Sequence, residues 1–157
     1  LFTDFDQATP LDQIEKFFPQ FDQGFDIVIG SRDGRKGSPV LRKLMAEAFS
    51  TLRNIILGLP FSDTQCGFKA FTNTAVQTVF PELLTSRKGS SVTGAAVNAG
   101  FDIEFLFIAR KKGLKIIDVP VEWRYVESER VPFIKNAIEA IQDMIRIRTD
   151  SLQGKYD

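Results

Sequence analysis

The sequence predicts an α/β domain. Three observations lead there: short β-branched or aromatic runs such as Ile27-Val28-Ile29 alternate with stretches of helical apolar spacing, turn residues punctuate the junctions between them, and the 157 residues contain no internal repeat. A single domain over 1–157 is expected.

Leu1-Phe2-Thr3 reads as the tail of a buried strand running into Asp4-Phe5-Asp6, and with no initiator Met a missing N-terminal segment is expected. Thr9-Pro10-Leu11-Asp12 reads as a helix start, with Thr9 as N-cap and Pro10 at the first helical position, and the short helix ends at Pro19. Phe25 to Gly30 has the apolar, Gly-terminated character of a strand buried on both faces, and delivers Ser31-Arg32 to the sheet edge. After the cationic turn Asp33 to Pro39, apolar spacing from Leu41 through Leu59 predicts a long amphipathic helix ended by Gly58 and Pro60. The polar loop Ser62 to Gly67, a strand at Phe68 to Phe71 and a helix from Asn73 to Phe80 capped by Thr72 or Asn73 follow. Thr85 to Gly100, rich in Ser, Gly, Thr and Ala, reads as a flexible loop. A helix from Ile103 to Lys112 with Asp102 as N-cap and Gly113 closing it, a strand within Leu114 to Tyr125 and an amphipathic helix from Phe133 to Arg148 complete the chain.

Composition narrows the chemistry. Twenty basic residues balance twenty acidic ones, so no global basic field holds a phosphate backbone and nucleic acid is not an expected partner. With no histidine, imidazole catalysis and His-ligated zinc are excluded. The single cysteine, Cys66, forms no internal disulfide and reads as a packed residue. No apolar run approaches the roughly 20 residues of a membrane-spanning helix, and no signal peptide opens the chain, so a soluble, cytoplasmic location is expected. Chemistry must rest on carboxylates, Lys and Arg, hydroxyls or a hard cation.

Asp4-Phe5-Asp6 places two carboxylates on one side of an extended segment, after a strand and before a helix start. Two hard oxygens at a strand's carboxyl end suit Mg²⁺ or Mn²⁺ carrying a diphosphate, although a solvated turn would look the same. The remaining motifs decide the context: Ala8-Thr9-Pro10, Ile27 to Arg32, Asp63-Thr64-Gln65-Cys66-Gly67-Phe68-Lys69, Phe101-Asp102-Ile103-Glu104, and Val119-Pro120-Val121-Glu122-Trp123. In this order, from Asp4 to Arg148, the chain resembles family 2 glycosyltransferases that charge a polyprenyl phosphate with a sugar, the dolichyl-phosphate β-glucosyltransferase group first and dolichol-phosphate mannose synthases next.

The resemblance implies part of a nucleotide-sugar-binding GT-A-type sandwich with a mixed, mainly parallel sheet, its nucleotide-binding first half absent and its metal and acceptor half present. It implies an inverting transfer of a hexose, glucose from UDP-glucose or mannose from GDP-mannose, to dolichyl or undecaprenyl phosphate, with Asp4 and Asp6 on the metal and peripheral contact with a membrane surface. The chain departs from the family at Phe5, where a small residue is usual, at Ala8, where the mannose branch has a Gln ligand, and at Ser128-Glu129-Arg130, where Gly-Ser-Lys is usual. An ionised lipid phosphate is already a nucleophile, so cations at strand ends matter more than a base: Arg32, Lys69, Arg124 and Arg130 are the candidates. Asp63 reads as a residue orienting the acceptor or as an Asx-turn, Asp102 as a site residue or an N-cap, and Glu104 as a first-turn acid favoured by the helix dipole. With Lys69, Asp63 and Asp102 form the expected catalytic set.

Two other readings stand beside this one. Haloacid-dehalogenase-type phosphatases also open on Asp-x-Asp but carry Thr or Val two residues after the second Asp, where this chain has Ala8. A non-catalytic fragment or interaction domain lacking the donor-binding half is the other.

Overall fold

In a computed structural model, residues 1–4, 8–32, 40–87, 100–124 and 133–157 are described. The elements are β1 (Phe2–Thr3), a 3₁₀ turn (Leu11–Lys16), α1 (Phe18–Asp22), β2 (Ile27–Arg32), α2 (Val40–Leu57), β3 (Phe68–Phe71), α3 (Asn73–Ser86), α4 (Gly100–Lys111), β4 (Ile116–Val121) and α5 (Phe133–Leu152). The α/β expectation holds. The strands form one mixed sheet in the order β1-β3-β2-β4. Its longest pairing is parallel, running all of β2 against all of β4, while β3 is antiparallel to both β1 and β2.

The alternation of side chains along β2 builds a core on each face. Ile27 and Ile29 enter a large cluster with Leu57, Val79, Leu83, Ile103, Leu106 and Met144, contributed by α2, α3, α4 and α5. Val28 points the other way, into a smaller cluster with Phe17, Phe68, Ala70 and Val121. There Phe17 and Phe68 meet edge to face, 5.3 Å between ring centroids. At Gly30 an added Cβ would lie 3.0 Å from Val121 Cγ2 and 3.1 Å from both Cys66 Sγ and the Phe68 carbonyl, so the lack of a side chain lets the loop before β3 close on the central strand.

Several boundaries differ from the sequence expectation. Thr9 is buried and does not cap; Pro10 occupies the N-cap position of a 3₁₀ turn, and Pro19 opens α1 rather than ending a helix, because its missing N–H costs nothing in a first turn. The second strand begins at Ile27, since the amides of Phe25 and Asp26 go to the Gln20 and Lys115 carbonyls. Thr72 caps α3, accepting from the Ala75 amide at 3.2 Å, but α3 continues through Pro81 to Ser86. Thus α3 takes Thr85 and Ser86, and α4 takes Gly100, from the expected loop; residues 88–99 lie outside the described residues. Asp102 sits in the first turn of α4 and is not its N-cap. The fourth strand ends at Val121, Tyr125 lies outside the described residues, and α5 runs to Leu152. In the described sheet β1 is an edge strand with Phe2 38% exposed, not a buried one. Gly58 and Gly113, with φ of +66° and +78°, end α2 and α4 as expected.

Candidate active site

Topology gathers the motifs at one sheet edge. Because β2 and β4 are parallel, they finish together, with Arg32 opposite Val121 and Trp123 two residues beyond. Antiparallel β3 begins at that same edge, and β1 ends there, Thr3 facing Phe68. Ligands of open α/β sheets are placed at carboxyl edges of this kind. Thr3, Asp4, Ala8, Thr9, Arg32, Cys66, Gly67 and Trp123 line a small open cleft there.

Arg32 is its organising cation. Its Nη2 donates to Asp63 Oδ1 at 2.9 Å and its Nε to Asp63 Oδ2, a two-point grip in which Asp63 is nearly buried. Burial works against the guanidinium charge, but the hydrogen bonds and charge of Asp63 outweigh it and hold Arg32 above its ordinary value. Asp63 Oδ1 also accepts the Gln65 amide at 3.2 Å, which closes an Asx-turn, the alternative to an acceptor-orienting role read from the sequence. The carboxylate therefore fixes both its own loop and Arg32. The Trp123 ring lies over the guanidinium, 5.6 Å from centroid to Cζ.

The loop that presents Asp63 is held from behind by a residue to which the sequence reading gave no role. Arg53 of α2, 2% exposed, donates to Thr64 Oγ1 at 3.0 Å, Ser50 Oγ at 2.8 Å and the Leu59 carbonyl at 3.4 Å, and also to the Phe61 carbonyl. Burial lowers its pKa. Its signal was a cation among Phe49, Leu52, Ile56 and Leu57 on the core side of an amphipathic helix.

Asp4 comes to the cleft through its backbone, its amide donating to the Gly67 carbonyl at 3.0 Å. Its carboxylate lies directly over Gly67, where an added Cβ would stand 1.8 Å from Oδ2. With Thr3 and Thr9 on the same wall, the oxygen donors present are hard and fit a hard divalent cation. Among the described residues no group of three acidic, Cys or His side chains converges on a metal position. Asp6 lies outside the described residues.

Lys69 makes the second part of the site. Its side chain is 2% exposed, and its Nζ donates to the Cys66 carbonyl at 2.5 Å and to Asp102 Oδ1 at 3.0 Å. Lys69 thereby ties the 63–67 loop to the first turn of α4. The Cys66 thiol between the two parts is pushed up by burial and by the Asp63 charge, so it is a packed, protonated residue. Arg124 is exposed and is not among the residues lining the cleft; its amide donates to the Ala8 carbonyl at 2.8 Å. Arg130 lies outside the described residues. The structure thus brings Asp4, Arg32, Asp63, Lys69 and Asp102 to one edge and leaves the Arg124 side chain off the cleft wall.

Glu104 has a larger role than its place near a helix N-terminus indicated. Fully buried, it accepts from Ser86 Oγ at 2.7 Å, Tyr156 Oη at 2.8 Å, and Arg87 Nε and Arg146 Nη2, each at 2.9 Å. Burial disfavours its charge, but the hydrogen bonds from Arg146, Ser86 and Tyr156 outweigh that and hold it below the ordinary carboxylate value.

No family model and no solved structure matches the chain. Among curated proteins, a dolichyl-phosphate beta-glucosyltransferase of Dictyostelium discoideum is 29% identical over 134 residues, covering 82% of this chain and 38% of the relative. The protein of that name from Saccharomyces cerevisiae is 30% identical over 117 residues, 74% of this chain and 32% of its own. One from Trichomonas vaginalis is 31% identical over 161 residues, 94% of this chain and 44% of its own. The resemblance to the dolichyl-phosphate glucosyltransferase group is therefore borne out, and the chain spans between 32% and 44% of the length of these three relatives.

Proposed function

We propose that this chain is the metal- and acceptor-side part of the catalytic domain of a glycosyltransferase that moves glucose from UDP-glucose to dolichyl phosphate, with inversion at the anomeric carbon. The observation that carries the reading is the convergence of Asp4, Arg32, Asp63 and Lys69 at one sheet edge, drawn from three separate motifs of the resemblance, in a chain whose relatives bear that enzyme's name. A phosphate monoester is largely dianionic at neutral pH, so the acceptor oxygen attacks without a general base. Asp63 suits that chemistry: both of its oxygens hold Arg32, so it orients a cation rather than taking a proton.

Arg32 and Lys69 are each already held by a carboxylate, so they fix position and need further positive charge beside two phosphate-bearing substrates. Asp4, with Asp6, would hold Mg²⁺ or Mn²⁺, which when bound neutralises the leaving diphosphate. Arg130 is the further phosphate contact in this reading. Among the described residues no helix is long and apolar enough to cross a membrane. Exposed Leu44 and Ile55 on α2 and Ile138, Ile145 and Leu152 on α5 support peripheral contact with a membrane in this reading.

The test uses the complete enzyme with labelled sugar donors and dolichyl or undecaprenyl phosphate. Transfer from UDP-glucose that stops on chelation and returns with Mg²⁺ or Mn²⁺ is the expected result. Equal transfer with GDP-mannose moves the assignment to mannose, and no lipid product from any donor overturns the reading.

A further inference from the structure

We propose that Trp123 is a positioning residue that, with Asp63, presents the Arg32 guanidinium to a substrate phosphate in a single orientation. The inference rests on the glycosyltransferase reading for the identity of that phosphate. Asp63 takes the Nε and Nη2 edge of Arg32. The guanidinium carbon lies over the indole ring, 5.6 Å from its centroid. With one edge gripped by Asp63 and the guanidinium carbon seated over the ring, the cation is restrained from two directions, and Arg32 and Trp123 both line the cleft that also holds Asp4. An arginine recognises phosphate through paired N–H groups in a fixed plane, so loss of that plane weakens binding even though the charge remains. Trp123 can do this because β4 ends in register with β2: Val121 pairs with Arg32, and the chain leaves the sheet two residues before the ring. The same residue is the only tryptophan in the 157-residue sequence, so its emission reports directly on this contact.

Kinetics of the complete enzyme and fluorescence of this chain test the proposal together. Trp123→Leu is expected to raise KM for the phosphate-bearing substrate by about 3- to 30-fold, the scale of a cation–π contact, with a smaller change in kcat, and Trp123→Phe to recover most of that loss. In an Arg32→Gln background, Trp123→Leu should cost almost nothing further, because the ring acts through Arg32. A merely structural tryptophan would instead lower thermal stability and cost the same with or without Arg32. In this chain, Trp123 emission should respond to inorganic pyrophosphate added with Mg²⁺, and that response should vanish in Arg32→Gln. A KM unchanged in Trp123→Leu, a full additional cost in the Arg32→Gln background, or a pyrophosphate response that survives Arg32→Gln overturns the proposal. Failure of all sugar transfer by the wild-type enzyme overturns the functional reading instead, and the fluorescence titration still decides whether ring and guanidinium form one phosphate-responsive unit.

Discussion

Gly67 shows how much of the site rests on an absent methyl group. The Asp4 carboxylate occupies the space a side chain at Gly67 would fill, and the two backbones are joined by the Asp4 amide. In Gly67→Ala the new Cβ must displace the Asp4 carboxylate, which can swing away because it ends an exposed side chain. The expected outcome is therefore a small change in stability, about 1 kcal/mol or less, but a loss on the order of 10²-fold in metal-dependent transfer, as expected for a misplaced reacting group. Thermal melts beside a Mg²⁺ titration of activity check it; unchanged metal dependence would show that Asp4 does not hold the cation. Sequence exposed the parts of this arrangement but not their pairing. Asp63 and Arg32 both stand out in the sequence, yet nothing in their spacing says that one holds the other, because the contact joins the end of β2 to the loop that precedes β3.

At the level of elements, Arg53 joins α2 to the loop that carries Asp63, satisfying the Leu59 and Phe61 carbonyls with a buried guanidinium. Arg53→Met keeps much of the volume but leaves those acceptors without donors, so a loss of about 3 kcal/mol or more in urea denaturation is expected. A change below about 1 kcal/mol would mean that the loop finds other donors. The elements that sequence located well, α2, β3 and the body of α5, are those whose periodicity and stops agree. Those it misplaced share a cause in backbone hydrogen bonding that residue type does not reveal. The helix expected to stop at Phe80 instead passes through Pro81, forfeiting the bond to the Gln77 carbonyl while Val79 and Leu83 remain packed in the core. Asp102 reads as a cap because acids favour that place, but Gly100 already begins α4 and the carboxylate is taken by Lys69. Glu104 was explained by a local dipole effect, whereas its partners come from three other parts of the chain.

Across the molecule, Glu104 ties α3, α4 and α5 to the C-terminal turn through Ser86, Arg87, Arg146 and Tyr156. Its folded-state pKa is depressed, so its contribution is present above the ordinary glutamate value near 4.5 and is lost as pH falls below that value through the folded one. Denaturation midpoints should therefore drop in this acid range, and Glu104→Gln should flatten that part of the profile. The substitution should also cost about 3 kcal/mol at neutral pH by leaving Arg87 without its carboxylate, while Arg146 keeps Asp143 and Asp150. An identical acid slope in Glu104→Gln would remove Glu104 as its source. The sheet order carries a consequence for how the chain reaches this state. Ile27 and Ile116 are neighbours in the parallel pair yet lie roughly 90 residues apart in sequence, while Phe71, the antiparallel partner of Ile27, is about half as far away. On a ribosome β2 emerges with β3 soon behind it and β4 only much later, so the antiparallel pair can close early while the other edge of Ile27-Val28-Ile29 waits unpaired. Completion of the carboxyl edge, with Trp123 arriving over Arg32, is then among the last events of folding, and a nascent chain stalled before β4 exposes a sticky apolar strand to its neighbours.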